Sequence, residues 1–83
     1  MATTIQYQPA MVGVSDERGE VAGAKVTMGG QSGTVIPPEG DSLDCWMPSE
    51  FVRMGLSRCA VDAIASCALR GARGKSGQMV VEE

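Results

Sequence analysis

Histidine is missing from all 83 residues of this sequence. That removes the side chain whose proton exchange falls nearest neutral pH, which is the usual base beside a serine or cysteine nucleophile and the commonest metal ligand. Routes through carboxylates, lysine or tyrosine stay open, but no grouping of such residues stands out. The expectation is a protein without enzymatic activity and without a cofactor. Aromatic residues are nearly as scarce, with Tyr7, Trp46 and Phe51 the three in the chain. Alanine, glycine and serine must therefore fill much of any core. A chain of this length buries only about 60% of its unfolded surface, so one domain with a thin stability margin is expected. Sharing apolar surface in a homodimer would widen that margin.

Long apolar runs are absent too. No stretch approaches the about 18 residues of a membrane span, and no charged-then-apolar leader opens the sequence, so a cytoplasmic chain with no membrane partner is expected. Cys45, Cys59 and Cys67 are odd in number, which speaks against a disulfide framework. Asparagine is absent and five arginines stand against two lysines. Together with abundant alanine, glycine and valine, this is the composition of a GC-rich bacterial or phage genome.

What is present reads as strands first and helices second. Ile5 and Tyr7 sit two apart, as on one face of a strand, and Pro9 is expected to interrupt or end it. Met11, Val12 and Val14 form a second β-prone run, followed by the polar cluster Asp16-Glu17-Arg18-Gly19, which reads as a turn. Ala24, Val26 and Met28 alternate with Lys25 and Thr27, the period of a half-buried strand, and Gly29-Gly30 supplies the next reversal. A hairpin from Met11 to Met28 follows. Thr34-Val35-Ile36 is a short strand stopped by Pro37-Pro38, so residues 1–38 are mainly strands. Residues 39–47 are acidic, lack periodicity and read as a linker.

Residues 48–73 change character. Pro48-Ser49-Glu50 favours the first turn of a helix carrying Phe51, Val52 and Met54, ended by Gly55. Ser57 then caps a second helix. On it Leu56, Cys59, Ala60, Ala63, Ile64, Cys67 and Ala68 fall on one broad face, and Gly71 or Gly74 terminates it. That face is apolar but made of small side chains, as suits a helix lying tight against a sheet or a partner helix. Residues 78–81 can return as a last strand, leaving Glu82 and Glu83 exposed. The fold expected is a single α+β domain, with an antiparallel sheet of three to four strands and two consecutive helices packed on one face.

Few residues carry chemistry. Cys59 and Cys67 are eight apart, about 12 Å along a helix, so they cannot share one tetrahedral zinc; both read as core packing. No metal site is expected. Cys45 precedes a helix start, where a positive dipole end lowers a thiol pKa, yet Trp46 and Met47 beside it argue equally for burial. Asp41 and Asp44 lack the spacing of a calcium loop. Gly71-Ala72-Arg73-Gly74-Lys75-Ser76 ends like a phosphate-binding loop, but Leu69 stands where the motif's first glycine belongs and the segment follows a helix instead of opening one. It reads as a basic connector.

Gly55-Leu56-Ser57 followed by Val61 and Ile64 resembles the turn and second helix of a helix-turn-helix. Gly55-Leu56-Ser57-Arg58 is also similar to the inter-helix turn of ribbon-helix-helix repressors. These resemblances cover about twenty residues and imply a small DNA-binding regulator. Charge adds to that reading, since Arg53, Arg58, Arg70, Arg73 and Lys75 face only Glu50 and Asp62 between Cys45 and Met79. Ser57, Arg58, Arg70, Arg73 and Lys75 are its candidate nucleic-acid contacts, with a salt-sensitive affinity.

The first half has the opposite sign, with Asp16, Glu17, Glu20, Glu39, Asp41 and Asp44 against Arg18 and Lys25. Such polarity steers a protein onto a charged surface and also serves solubility. Trp46, Met47, Phe51 and Met54 gather large apolar groups into nine residues, a composition favoured in cores and in interface hot spots alike. The leading expectation is a protein-binding module that docks onto a larger protein or ribonucleoprotein complex and modulates or inhibits it. Asp16, Glu17, Glu20, Trp46 and Phe51 are its candidate contacts. Small standalone domains of this composition include phage and mobile-element accessory proteins that act against host defence, anti-CRISPR proteins among them. The DNA-binding regulator is the first alternative and a structural or assembly subunit the second.

Overall fold

A computed structural model of the chain describes residues 2–13, 19–37 and 46–82. Four strands and two helices run in the order β1 (Ala2–Gly13), β2 (Glu20–Met28), β3 (Gln31–Val35), α1 (Ser49–Val52), α2 (Arg58–Ala72) and β4 (Gly77–Glu82). The strands form one antiparallel sheet in the order β3-β2-β1-β4. This is the expected α+β fold, with the last strand present. Among the described residues no helix is long and apolar enough to cross a membrane.

β1 and β2 form a hairpin, but a longer one than the expected Met11 to Met28: Met11 pairs with Ala22, and Ala24, Val26 and Met28 pair with Pro9, Tyr7 and Ile5 instead of the Met11–Val14 run. Residues 14–18, the body of the expected turn, lie outside the described residues. The reversal at Gly29-Gly30 joins Met28 directly to its partner Gln31. Both glycines have positive φ, 58° and 83°, as a two-residue hairpin turn of the primed kind requires.

Pro9 does not end a strand as expected; β1 runs straight through it. The reason lies in the neighbouring strand. β4 pairs with β1 only as far as Tyr7 opposite Gly77, so from Gln8 onward no described strand pairs with that side of β1. A residue without an N–H is tolerated on such a side. β2 likewise starts earlier than its apolar alternation suggests, at Glu20, because the long β1 offers it partners back to Gly13.

Cross-strand partners share a face, so Ile5, Met28 and Met79 lie together, as do Ala24 and Val35. This face carries both helices. α2 packs across β2 and β1 and reaches β4, while α1 sits on β3. Ile5, Val26, Val35, Phe51, Ile64 and Cys67 are the largest fully buried side chains. Each such aliphatic or aromatic group contributes roughly 1.5–3 kcal/mol on burial. Ala60, Ala65, Ala68 and Gly71 are buried on α2 as well. Their small size brings the helix backbone down onto the strands. The other face of the sheet bears Thr4, Gln6, Gln8, Lys25, Ser32 and Gln78, all exposed, while Val12 toward its far end is buried.

Ser57 caps α2 as expected, its hydroxyl accepting from the Ala60 N–H at 3.3 Å. The far end closes at Gly74, not at Gly71. Gly74 has φ 88°, its N–H donates to the Gly71 carbonyl at 2.9 Å, and the Lys75 N–H donates to the Arg70 carbonyl at 3.0 Å. These two bonds make the left-handed glycine closure common at helix ends. One core assignment is corrected: Cys67 is buried, whereas Cys59 is exposed. Cys59 lies in the first turn of α2 beside the buried Ala60, rotated about 80° around the helix from Cys67, so it falls off the stripe that Ala60, Ile64, Cys67, Ala68 and Gly71 bury.

Candidate functional site

The segment between β3 and α2 holds the concentration of large apolar residues, and it divides into a buried and an exposed half. Trp46 forms an isolated antiparallel bridge with Ile36 at the end of β3. Met47 packs against the core. The expected linker therefore stops short of both, and residues 38–45, including Cys45, lie outside the described residues. Pro48 is the N-cap of α1, and its carbonyl accepts from the Phe51 N–H at 3.0 Å. A one-turn helix has little stability of its own. α1 is held by what it touches.

Gly33 is the seat of that contact. A Cβ placed on it would lie 2.7 Å from Pro48 Cγ and 3.6 Å from the Phe51 ring. The bare glycine lets Pro48 and Phe51 lie on β3. Phe51 is 0% exposed and belongs to the core, which removes it from the candidate contact residues. Its aromatic character is spent on anchoring α1. Trp46 is the reverse case, 54% exposed, near Val52 at 65%, whereas the exposed Met54 reaches toward Gly29 at the other end of β3. Trp46, Met47, Pro48 and Val52, with Ser49, Glu50 and Arg53 as its polar members, line a depression of about 640 Å³ along α1. An apolar surface centred on a half-exposed tryptophan, mounted on a segment locked from beneath, is what interface hot spots are made of.

Of the acidic candidates, Glu20 is exposed at the start of β2, and Asp16 and Glu17 lie outside the described residues. Val35 pairs with Ala24, four residues along β2 from Glu20, so Glu20 and the Ile36–Trp46 bridge fall toward the same end of the sheet. Val52 and Met11, both well exposed, were not legible as surface residues. Nothing in a hydrophobic residue's identity says which side of a short element it takes.

The candidate nucleic-acid contacts are not brought together. Ser57 and Arg58 stand at the N-terminal end of α2, and Arg70, Arg73 and Lys75 at the other end, about 20 Å away by helix rise. Arg58 Nε lies 3.2 Å from Asp62 Oδ1, which is itself screened from water. That pair cancels part of the local positive charge. Arg70, Arg73 and Lys75 are exposed and cluster where the helix dipole is negative, a placement that also stabilises the helix end. The first element of the helix-turn-helix resemblance is the four-residue α1.

A second, polar depression of about 340 Å³ lies on the sheet face opposite the helices, lined among others by Gln6, Tyr7, Gln8, Lys25, Thr27 and Gln78. The Cys67 thiol is pushed above its ordinary pKa, chiefly by burial and against the pull of the Arg70 guanidinium. Among the described residues no three Asp, Glu or Cys side chains come together as metal ligands. Compared with protein-family models, with curated proteins and with solved structures, the chain matches none.

Proposed function

We propose that this chain is a non-enzymatic binding protein that docks onto a larger protein or ribonucleoprotein complex in the cytoplasm and modulates or inhibits it. The observation that carries the reading is the Trp46 surface. Exposing 54% of a tryptophan in a chain with three aromatics is costly unless another surface covers it. The segment that presents it is fixed by the Pro48–Gly33 contact and by Phe51, so little ordering entropy would be lost on docking. Glu20, toward the same end of the sheet, would meet a basic rim on the partner, and Asp16 and Glu17, outside the described residues, stay candidate contacts from the sequence alone. The origin as a phage or mobile-element product directed against host defence, in the manner of anti-CRISPR proteins, is a reading from size and composition.

The exposed cluster Arg70, Arg73 and Lys75 favours a second reading, contact with nucleic acid at the C-terminal end of α2. One experiment separates the two. The tagged chain is used as bait in host lysate with and without nuclease, alongside Trp46→Ala and an Arg70→Ala, Arg73→Ala variant. A stoichiometric protein captured despite nuclease and lost with Trp46→Ala fits docking. Capture that vanishes with nuclease or with the arginine pair moves the function to nucleic acid.

A further inference from the structure

The sheet ends at β4. Its inner side pairs with β1 from Glu82 opposite Ala2 to Gly77 opposite Tyr7, and its contacts with other elements are confined to β1 and α2. Among the described elements, none covers its outer row of N–H and C=O groups. The opposite edge differs, because β3 has α1 packed on it and ends in the Ile36–Trp46 bridge. Free edges are normally blunted by lysine, proline or a bulge. Gly77-Gln78-Met79-Val80-Val81-Glu82 contains neither lysine nor proline. Its charges sit at its two ends instead, with Arg73 and Lys75 just before the strand and Glu82 at its close, all exposed.

That order makes the strand complementary to itself. Antiparallel pairing sets a basic start against an acidic end twice over, whereas parallel pairing would oppose like charges. We propose that β4 pairs antiparallel with β4 of a second copy of this chain, joining two four-stranded sheets into one of eight. A two-fold axis relating antiparallel neighbours in a sheet stands perpendicular to it, so paired residue numbers sum to an even value and all helices stay on one face. The register centred on Met79 sets Met79 against its mate, Gln78 against Val80, and Glu82 against Ser76, one residue from Lys75. It covers the half-buried Met79 from the side that α2 leaves open. An edge of six residues buries less than the roughly 1,600 Å² of a standard interface, so the dimer is a weak, concentration-dependent one. It leaves Trp46 free on the far edge of each copy and stands independently of the docking surface there.

Sedimentation velocity on the intact chain, from low micromolar to near-millimolar concentration, tests this. The chain is expected to pass from monomer to dimer. Lys75→Glu and Glu82→Lys each bring like charges to both ends of the joined strands without a direct cross-strand partner, weakening the dimer roughly two- to threefold at low salt, and the two together in one chain restore it. Both side chains are exposed, and circular dichroism confirms that the variants fold. A monomer at every concentration overturns the proposal, as does a dimer indifferent to both single reversals or a double variant no tighter than the singles.

Discussion

Gly71 and Ala24 meet with no room between them: a Cβ on Gly71 would overlap the Ala24 methyl, and would also lie 3.2 Å from Ala24 Cα and 3.3 Å from the Gln8 carbonyl oxygen. This contact fixes the depth at which the last turn of α2 rests on β2 and β1. It turns a glycine inside a helix, ordinarily a weakness, into a packing requirement.

Gly71→Ala is therefore expected to destabilise the fold, although alanine is worth about 1 kcal/mol more than glycine in helix propensity. Forcing a methyl against the Ala24 methyl and the backbone beneath it costs typically 1–3 kcal/mol, and a net loss of up to about 2 kcal/mol should appear in urea denaturation. Ala24→Gly in the same chain makes room for the new methyl. A double-mutant cycle should show strong favourable coupling between the two changes, and additive losses would contradict the contact.

The local chemistry of the chain was readable where a structure depends on neighbours in sequence. Gly29-Gly30 gave a turn, Ser57 a cap, and the alternation of Ala24, Val26 and Met28 a strand with the correct face inward. Pro9 was misread because its tolerance depends on where β4 stops pairing, some 70 residues away. Cys59 and Cys67 fall on one broad helical face by spacing, and the seating of α2 on the sheet decides which stripe of it is buried. Phe51 and Trp46 are equally apolar, and the glycine at position 33 decides which of them is buried.

Gly33→Ala tests that decision. A methyl there would press on Pro48 at 2.7 to 2.8 Å, and the proline ring can yield only by lifting α1 from β3. The expected result is a loss of about 1–2 kcal/mol. Tryptophan fluorescence should shift as the Ile36–Trp46 bridge loosens. An unchanged emission spectrum at unchanged stability would show that α1 is not held through Gly33.

The cysteines give a pH-dependent prediction. In a Cys45→Ser background, Cys59 should react promptly with a thiol reagent in the native state and Cys67 only after unfolding, since burial both shields it and raises its pKa. A thiol whose folded pKa is raised holds its proton more tightly when folded. The stability tied to it is present below the unfolded value and is lost as pH climbs from 9.0 through the higher folded value. Cys67→Ala should thus be less stable than the parent at neutral pH, with the gap narrowing above 9.0. A gap that stays constant would mean that the thiol titrates alike in both states.

Trp46→Ala and Phe51→Ala should separate surface from core within one short segment. Phe51 is fully buried among Val35, Ile64 and their neighbours, and its truncation should cost about 3–5 kcal/mol, enough to unfold much of a domain this small. Trp46 keeps 54% of its surface in solvent, so its truncation should cost under about 1 kcal/mol in thermal denaturation. The same substitution should abolish capture of a protein partner. Loss of capture with the melting temperature nearly unchanged is the combination that a core tryptophan cannot produce, because a side chain needed for folding would lower both together. A large stability loss in Trp46→Ala would return the residue to the core and remove the strongest support for docking.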